Sequence, residues 1–146
     1  MRDIGRWLLA GFLAVAGIGH FAAADTFRAQ VPPWMPYPEA VIAVSGVIEL
    51  GFAAALVLAR ERRALVGWLL AGFFIVIFPG NISQFVTGTD AFGLDSDFAR
   101  GVRLLFQPVL VVWALWCTSA WRQWRRPTST RSGVVTPEHL TRAIPD

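Results

Sequence analysis

The chain has no lysine, a single tyrosine and a single cysteine among its 146 residues. One thiol, Cys117, cannot close an internal disulfide, form a CxxC redox pair or build a thiolate metal cluster. It reads as a buried, inert thiol. Charge is scarce as well. Only 16% of residues are charged and 55% are hydrophobic, whereas a soluble domain carries about a quarter charged residues. Every basic residue is an arginine, and the formal charge of +3 matters less than where those arginines stand. They gather at the ends of apolar runs without a folded reading module, so no nucleic-acid partner is expected.

What the sequence does have is four long apolar runs: Trp7 to about Ala24, Glu39 to Ala59, Ala64 to about Val86, and about Arg100 to Trp121. A spanning helix needs about 20 mostly apolar residues. Backbone groups in lipid must be satisfied within their own segment, so these runs are helices. The expected fold is an all-α membrane protein, an up-down bundle of four transmembrane helices over residues 1–121, with the lipid bilayer as its first partner. Residues 122–146 are rich in Arg, Pro, Ser and Thr and read as a disordered cytoplasmic tail. That tail serves as a topology anchor or touches anionic headgroups.

Arginine placement sets the orientation. Arg2 and Arg6 precede the first run, Arg60, Arg62 and Arg63 fill the turn after the second, and Arg122, Arg125, Arg126, Arg131 and Arg142 follow the fourth. The loop from Thr87 to Ala99 instead carries Asp90, Asp95 and Asp97. The positive-inside rule then gives a multi-pass protein of the cell membrane with both termini cytoplasmic. Trp7, Trp68, Trp121 and Trp124 fall at the inner interface, and Trp34 and Tyr37 at the outer one, as an aromatic belt requires. A competing reading takes Met1 to Asp25 as a signal peptide cleaved near Ala22-Ala23-Ala24, which leaves three spans. The arginine asymmetry fits four spans better.

Glu49 is the most informative polar residue, because it stands near the midplane of the second run. An ionisable group at that depth costs roughly 2.5–3.5 kcal/mol and marks function. Ser45 is one turn above it. His20, Asn81, Gln84, Arg103 and Gln107 fall in the outer halves of the other three runs, so all four helices offer polar groups to one layer. Pro79 and Pro108 adjoin that layer and predict kinks. The loop Val31–Pro38, with prolines at 32, 33, 36 and 38, reads as a stiff, extended roof. Together these residues predict an outward-opening cavity in which Glu49 pairs with Arg103 or His20. Each also has a structural reading: Asn81, Gln84 and Gln107 as interhelical glue, Arg103 snorkelling to headgroups, and His20 as an interfacial histidine. One Glu and one His are too few ligands for a metal.

Several strings resemble the DoxX-like (DoxX/MauE) family of small bacterial membrane proteins. They are Gly17-Ile18-Gly19-His20-Phe21, Val31 through Pro36, Ser45 through Glu49, Phe78-Pro79-Gly80-Asn81-Ile82, and Arg103 through Gln107. The resemblance covers residues 5 to 121. It implies a four-helix membrane protein associated with redox enzymes, attached to thiosulfate:quinone oxidoreduction or to the maturation of periplasmic redox enzymes. The cysteine pairs of some redox-active relatives are missing, which argues against thiol–disulfide chemistry.

The resulting expectation is a redox-associated accessory subunit without independent catalytic activity. Its ligand-binding residues are His20, Ser45, Glu49, Asn81, Gln84, Arg103 and Gln107, the ligand is a small hydrophobic molecule such as a quinone, and a membrane or periplasmic redox enzyme or a second copy is the protein partner. The alternatives are a small proton-coupled carrier using Glu49, which would have to oligomerise, and a structural assembly partner whose polar layer is only glue.

Overall fold

The computed structural model describes residues 1–90, 93 and 96–124, the last two by backbone alone. Six helices follow in order: α1 (Arg2–Ala22), α2 (Ala24–Arg28), α3 (Pro38–Leu58), α4 (Arg63–Thr87), α5 (Asp97–Cys117) and α6 (Ala120–Trp124). Four of them, α1, α3, α4 and α5, are long and apolar enough to cross a bilayer. The protein is an all-α four-helix bundle of the multi-pass membrane kind. The 21 residues of α1 reach about 30 Å at a rise of about 1.5 Å each, the thickness of a hydrocarbon core.

Three long-range bonds fix the up-down arrangement. Trp113 Nε1 donates to the Gly5 carbonyl at 3.0 Å, Arg2 to the Ser119 hydroxyl at 3.3 Å, and Arg6 to the Leu56 carbonyl at 2.9 Å. The start of α1 therefore meets the ends of α3 and α5 at one pole. Arg6 read from the sequence as a topology marker; here it is only 4% exposed. It satisfies a carbonyl that the last turn of α3 leaves free. Asp3 accepts from Arg6 at 3.2 Å and lies 3.6 Å from Arg63, so two guanidiniums share one carboxylate. Between the poles the core is aliphatic: Leu9, Leu13, Leu56, Leu70, Phe74 and Leu110. Ile4, Leu8, Val15, Val44, Val76 and Leu105 face outward, which suits acyl chains and not water. Trp7, Trp68 and Trp121 are exposed towards the Arg-rich pole, and Trp34 and Tyr37 towards the other.

Several expectations change. The first run is not one helix to Ala24: α1 ends at Ala22 and the chain folds into the short α2. The fourth helix starts at Asp97, capped by the Ser96 side chain, and stops at Cys117. Ser119, at φ 61°, separates it from α6. α4 and α5 continue through Pro79 and Pro108. The 31–38 loop is turned and not extended. The Met35 N–H donates to the Pro32 carbonyl at 2.9 Å, a four-residue turn with Pro33 at the position where a fixed φ favours bending. Tyr37 is left-handed at φ 55°. Of the expected tail, residues 122–124 belong to α6; residues 125–146, with Arg125, Arg126, Arg131 and Arg142, lie outside the described residues, as does Asp95.

α1 crosses α3 at close range. A Cβ on Gly17 would lie 2.9 Å from the Gly46 carbonyl, and one on Gly46 would lie 3.1 Å from the Gly17 carbonyl and 2.8 Å from the His20 Cβ. Backbone cannot yield as a side-chain tip can, so Gly17→Ala should lower unfolding stability by about 1–3 kcal/mol. A Cβ on Gly11 or Gly51 would meet nothing within 4 Å, so alanine there should be neutral. Denaturation in mixed micelles checks the contrast; equal effects at Gly17 and Gly11 would refute the crossing.

Candidate functional site

Helix geometry explains why His20 and Glu49 meet. Side chains on a helix lean towards its N-terminus. α1 and α3 run antiparallel, so His20 leans down from the last turn of α1 while Glu49 leans up from the middle of α3. The Gly17–Gly46 crossing brings the two backbones close enough for them to touch. His20 Nδ1 lies 3.3 Å from Glu49 Oε2, with both side chains about nine-tenths buried. The ion partner of Glu49 is thus His20, and the alternative of Arg103 is not taken up.

The pairing leaves one atom unserved. His20 Nδ1 is 2.9 Å from the Ala16 carbonyl. A carbonyl only accepts, so Nδ1 carries hydrogen and directs it there. Glu49 Oε2 is buried and has no hydrogen-bond partner. Phe27, on α2, lies over the imidazole with ring centroids 3.9 Å apart and planes 33° apart. Gly19 makes room for it, since a Cβ there would meet the Phe27 ring at 3.3 Å.

A cleft of about 170 Å³ opens beside this pair, with His20 and Ile42 at its buried end and the exposed residues Asp25, Arg28 and Glu39 at its mouth. Arg28 and Glu39 are 2.5 Å apart and clasp α2 to the first turn of α3. Glu49, Asn81, Gln84, Arg103 and Gln107 do not line this cleft. The expected single cavity is therefore replaced by a smaller one that touches His20 alone among the seven predicted residues.

The other polar residues form a second group between α4 and α5. Asn81 Nδ2 donates to Gln107 Oε1 at 2.9 Å, and Gln107 Nε2 donates to the Phe74 carbonyl at 2.6 Å. That carbonyl lies in the turn ahead of Pro79, where the helix ladder is weakened. Gln84 is 1% exposed; it donates to the Thr89 carbonyl at 3.3 Å, while its Oε1 has no partner. Among the described residues, no hydrogen bond joins Asn81, Gln84 or Gln107 to the His20–Glu49 pair. Ser45 and Arg103 are half-buried. The roof over α4 comes from Gln30, whose carbonyl would sit 2.7 Å from a Cβ on Gly80, and not from Trp34 or Tyr37, which point outward. Among the described residues, no three His, Cys, Asp or Glu side chains are grouped to hold a metal. A larger groove of about 540 Å³ on α5, walled by Val109, Val112, Trp113 and Trp116, is apolar and belongs to the lipid-facing surface.

Sequence reading missed Phe27 and the charged mouth of the cleft. Its one signal was the pair of opposite charges, Arg28 and Glu39, on either side of the proline-rich loop.

A family described as a domain of unknown function, DUF8561, matches residues 9–118, a stretch that includes parts of all four spanning helices. No curated protein and no solved structure matches the chain.

The Asn81–Gln107 bond is internal and fully formed, so it should behave as glue. A double-mutant cycle of Asn81→Ala with Gln107→Leu should show a coupling of about 0.6 kcal/mol, the mean for such bonds in membranes. A coupling of zero would show that the two side chains do not act on each other.

Proposed function

We propose that this protein, which belongs to the DUF8561 family of domains of unknown function, is a redox-associated accessory subunit of the cell membrane. It has no independent catalytic activity, and it holds a small hydrophobic ligand such as a quinone in the cleft at His20, with Glu49 as the partner of that imidazole. The observation that carries this reading is Glu49 Oε2: a buried carboxyl oxygen without a hydrogen-bond partner, 3.3 Å from an imidazole that lines an open cleft. An unserved buried acceptor is costly unless function retains it. The resemblance of these segments to the DoxX-like family supports the same class, with a membrane or periplasmic redox enzyme, or a second copy, as partner.

The arginine asymmetry supports cytoplasmic termini. Arg2, Arg60, Arg62, Arg63 and Arg122 all belong to the pole where α1 begins and α5 ends. The cleft at the other pole then opens outward. A two-sided carrier is disfavoured, because below Glu49 the interior is packed by Leu9, Leu13, Leu56 and Leu70 and closed by Arg6. Reporter fusions at Trp124 and Gly93 should give cytoplasmic and external signals respectively; the reverse pattern would overturn the orientation.

The direct test is native mass spectrometry of detergent-purified protein incubated with bacterial lipid extract. Wild type should retain a quinone-sized adduct, and Glu49→Gln should lose it. Losing the carboxylate also strands His20, at a cost of up to about 3–5 kcal/mol. The double change His20→Gln with Glu49→Gln should therefore recover stability but not the adduct. Wild-type retention in the single variant would remove Glu49 from the site.

A further inference from the structure

The pole where α1 begins and α5 ends gathers more positive charge than its own carboxylates can meet. Among the described residues it holds Arg2, Arg6, Arg60, Arg62, Arg63 and Arg122 against Asp3 and Glu61. Asp3 is already shared by Arg6 and Arg63. Arg2 and Arg122 form no ion pair with any described residue. Instead, both turn to one neutral atom. Arg2 Nη1 donates to Ser119 Oγ at 3.3 Å, and Arg122 Nη2 donates to the same oxygen at 3.5 Å. A hydroxyl oxygen has two lone pairs and one hydrogen. The two arginines take the lone pairs, and the hydrogen has no acceptor among the described residues. Two like charges converging on one point repel each other unless an anion joins them. Ser119 is held there by a left-handed backbone at φ 61°, a conformation uncommon for serine.

A second feature ends at the same place. The apolar groove of about 540 Å³ is walled by Pro108, Val109, Val112, Trp113 and Trp116, which follow one face of α5. From Pro108 to Trp116 it runs about 12 Å, at about 1.5 Å per residue. Val109, Val112 and Trp116 are exposed, so the groove lies open to lipid along its side. At its upper end the Ser119 N–H donates to the Trp116 carbonyl at 3.2 Å. The Trp116 ring stands 2.7 Å from where a Gly5 Cβ would be, one turn of α1 from Arg2. An apolar channel along α5 thus leads directly to a cationic cluster at the membrane interface, with Trp121 exposed beside it.

We infer that this pole carries a binding site for one anionic phospholipid, its phosphate held by Arg2, Arg122 and the Ser119 hydroxyl and one acyl chain lying in the α5 groove. Guanidinium forks match phosphate oxygens in geometry and charge. A zwitterionic headgroup would bring an ammonium against two arginines, so the site discriminates against it. The site lies at the opposite pole from the His20 cleft and is independent of the ligand proposed there.

Dioleoylphosphatidylglycerol and dioleoylphosphatidylcholine share their acyl chains and differ in headgroup charge. Native mass spectrometry of the full chain in detergent, given both lipids in equal amounts, should show one phosphatidylglycerol retained at least about tenfold over phosphatidylcholine. Equal retention overturns the site. Arg2→Gln with Arg122→Gln should abolish the preference. Arg60→Gln with Arg62→Gln removes the same charge from exposed positions at the same pole and should preserve it. Equal losses in the two double variants would make the preference a property of net charge and overturn the site. Ser119→Gly deletes the hydroxyl at a backbone angle that glycine accepts readily, so it keeps the test available should the charge variant fail to fold. Its retention of phosphatidylglycerol should fall, and unchanged retention overturns the assignment. Excess glycerol 3-phosphate brings the phosphate without acyl chains and should leave the lipid in place. Displacement by it would make this a site for free phosphate esters and overturn the lipid reading.

Discussion

Two glycines hold the arrangement together. Gly17 and Gly46 let α1 and α3 approach until backbone carbonyls stand where a Cβ would otherwise be. Small residues make such crossings possible in a membrane, where no hydrophobic drive pulls helices together and van der Waals packing must suffice. Because side chains lean towards their helix N-termini, an antiparallel crossing at these glycines aims His20 and Glu49 at each other. A wider crossing would leave the carboxylate facing lipid or aliphatic core, at a cost of several kcal/mol. Packing and chemistry thus share one contact.

The buried polar groups divide into two kinds. Asn81, Gln107 and the Phe74 carbonyl close a complete set of bonds across α4 and α5. That set satisfies groups next to a proline and asks nothing of a ligand. The His20–Glu49 pair is incomplete, since Nδ1 directs its hydrogen to the Ala16 carbonyl and Glu49 Oε2 is left without one. Buried ion pairs are weak contributors to stability, and an incomplete one is weaker still. Completeness thus separates the Asn81–Gln107 set from the His20–Glu49 pair more sharply than depth does, with Gln84 Oε1 a further buried atom that has no partner.

Much of the fold was legible in the sequence because the bilayer imposes it. Run length and arginine placement gave four spans whose ends fall within a few residues of α1, α3, α4 and α5, apart from the early start of α1. Depth along each helix was legible as well, and His20, Glu49, Asn81, Gln84 and Gln107 are all buried. Azimuth was not. Knowing that residues share a layer does not say which helices are neighbours, so one expected cavity became two separate groups, and Glu49 met His20 and not Arg103. Arg6 looked like a charge for the interface because its role depends on the α3 carbonyl of Leu56, fifty residues away in sequence. The 31–38 loop was read from the stiffness of proline alone, whereas proline in sequence with Trp34 and Met35 bends the chain. α2, only five residues long, offers too little periodicity to be seen at all, yet it carries the Phe27 that covers His20.

Glu49 Oε2, buried without a hydrogen-bond partner beside His20, is the atom on which the ligand reading turns. Difference infrared spectroscopy addresses that atom directly: spectra of wild type with and without duroquinol or duroquinone, each set against Glu49→Gln, isolate the Glu49 carboxyl bands. A Glu49 carboxyl band that shifts when either compound binds is the predicted result. A Glu49 signal indifferent to both, while either compound is bound, would contradict the account.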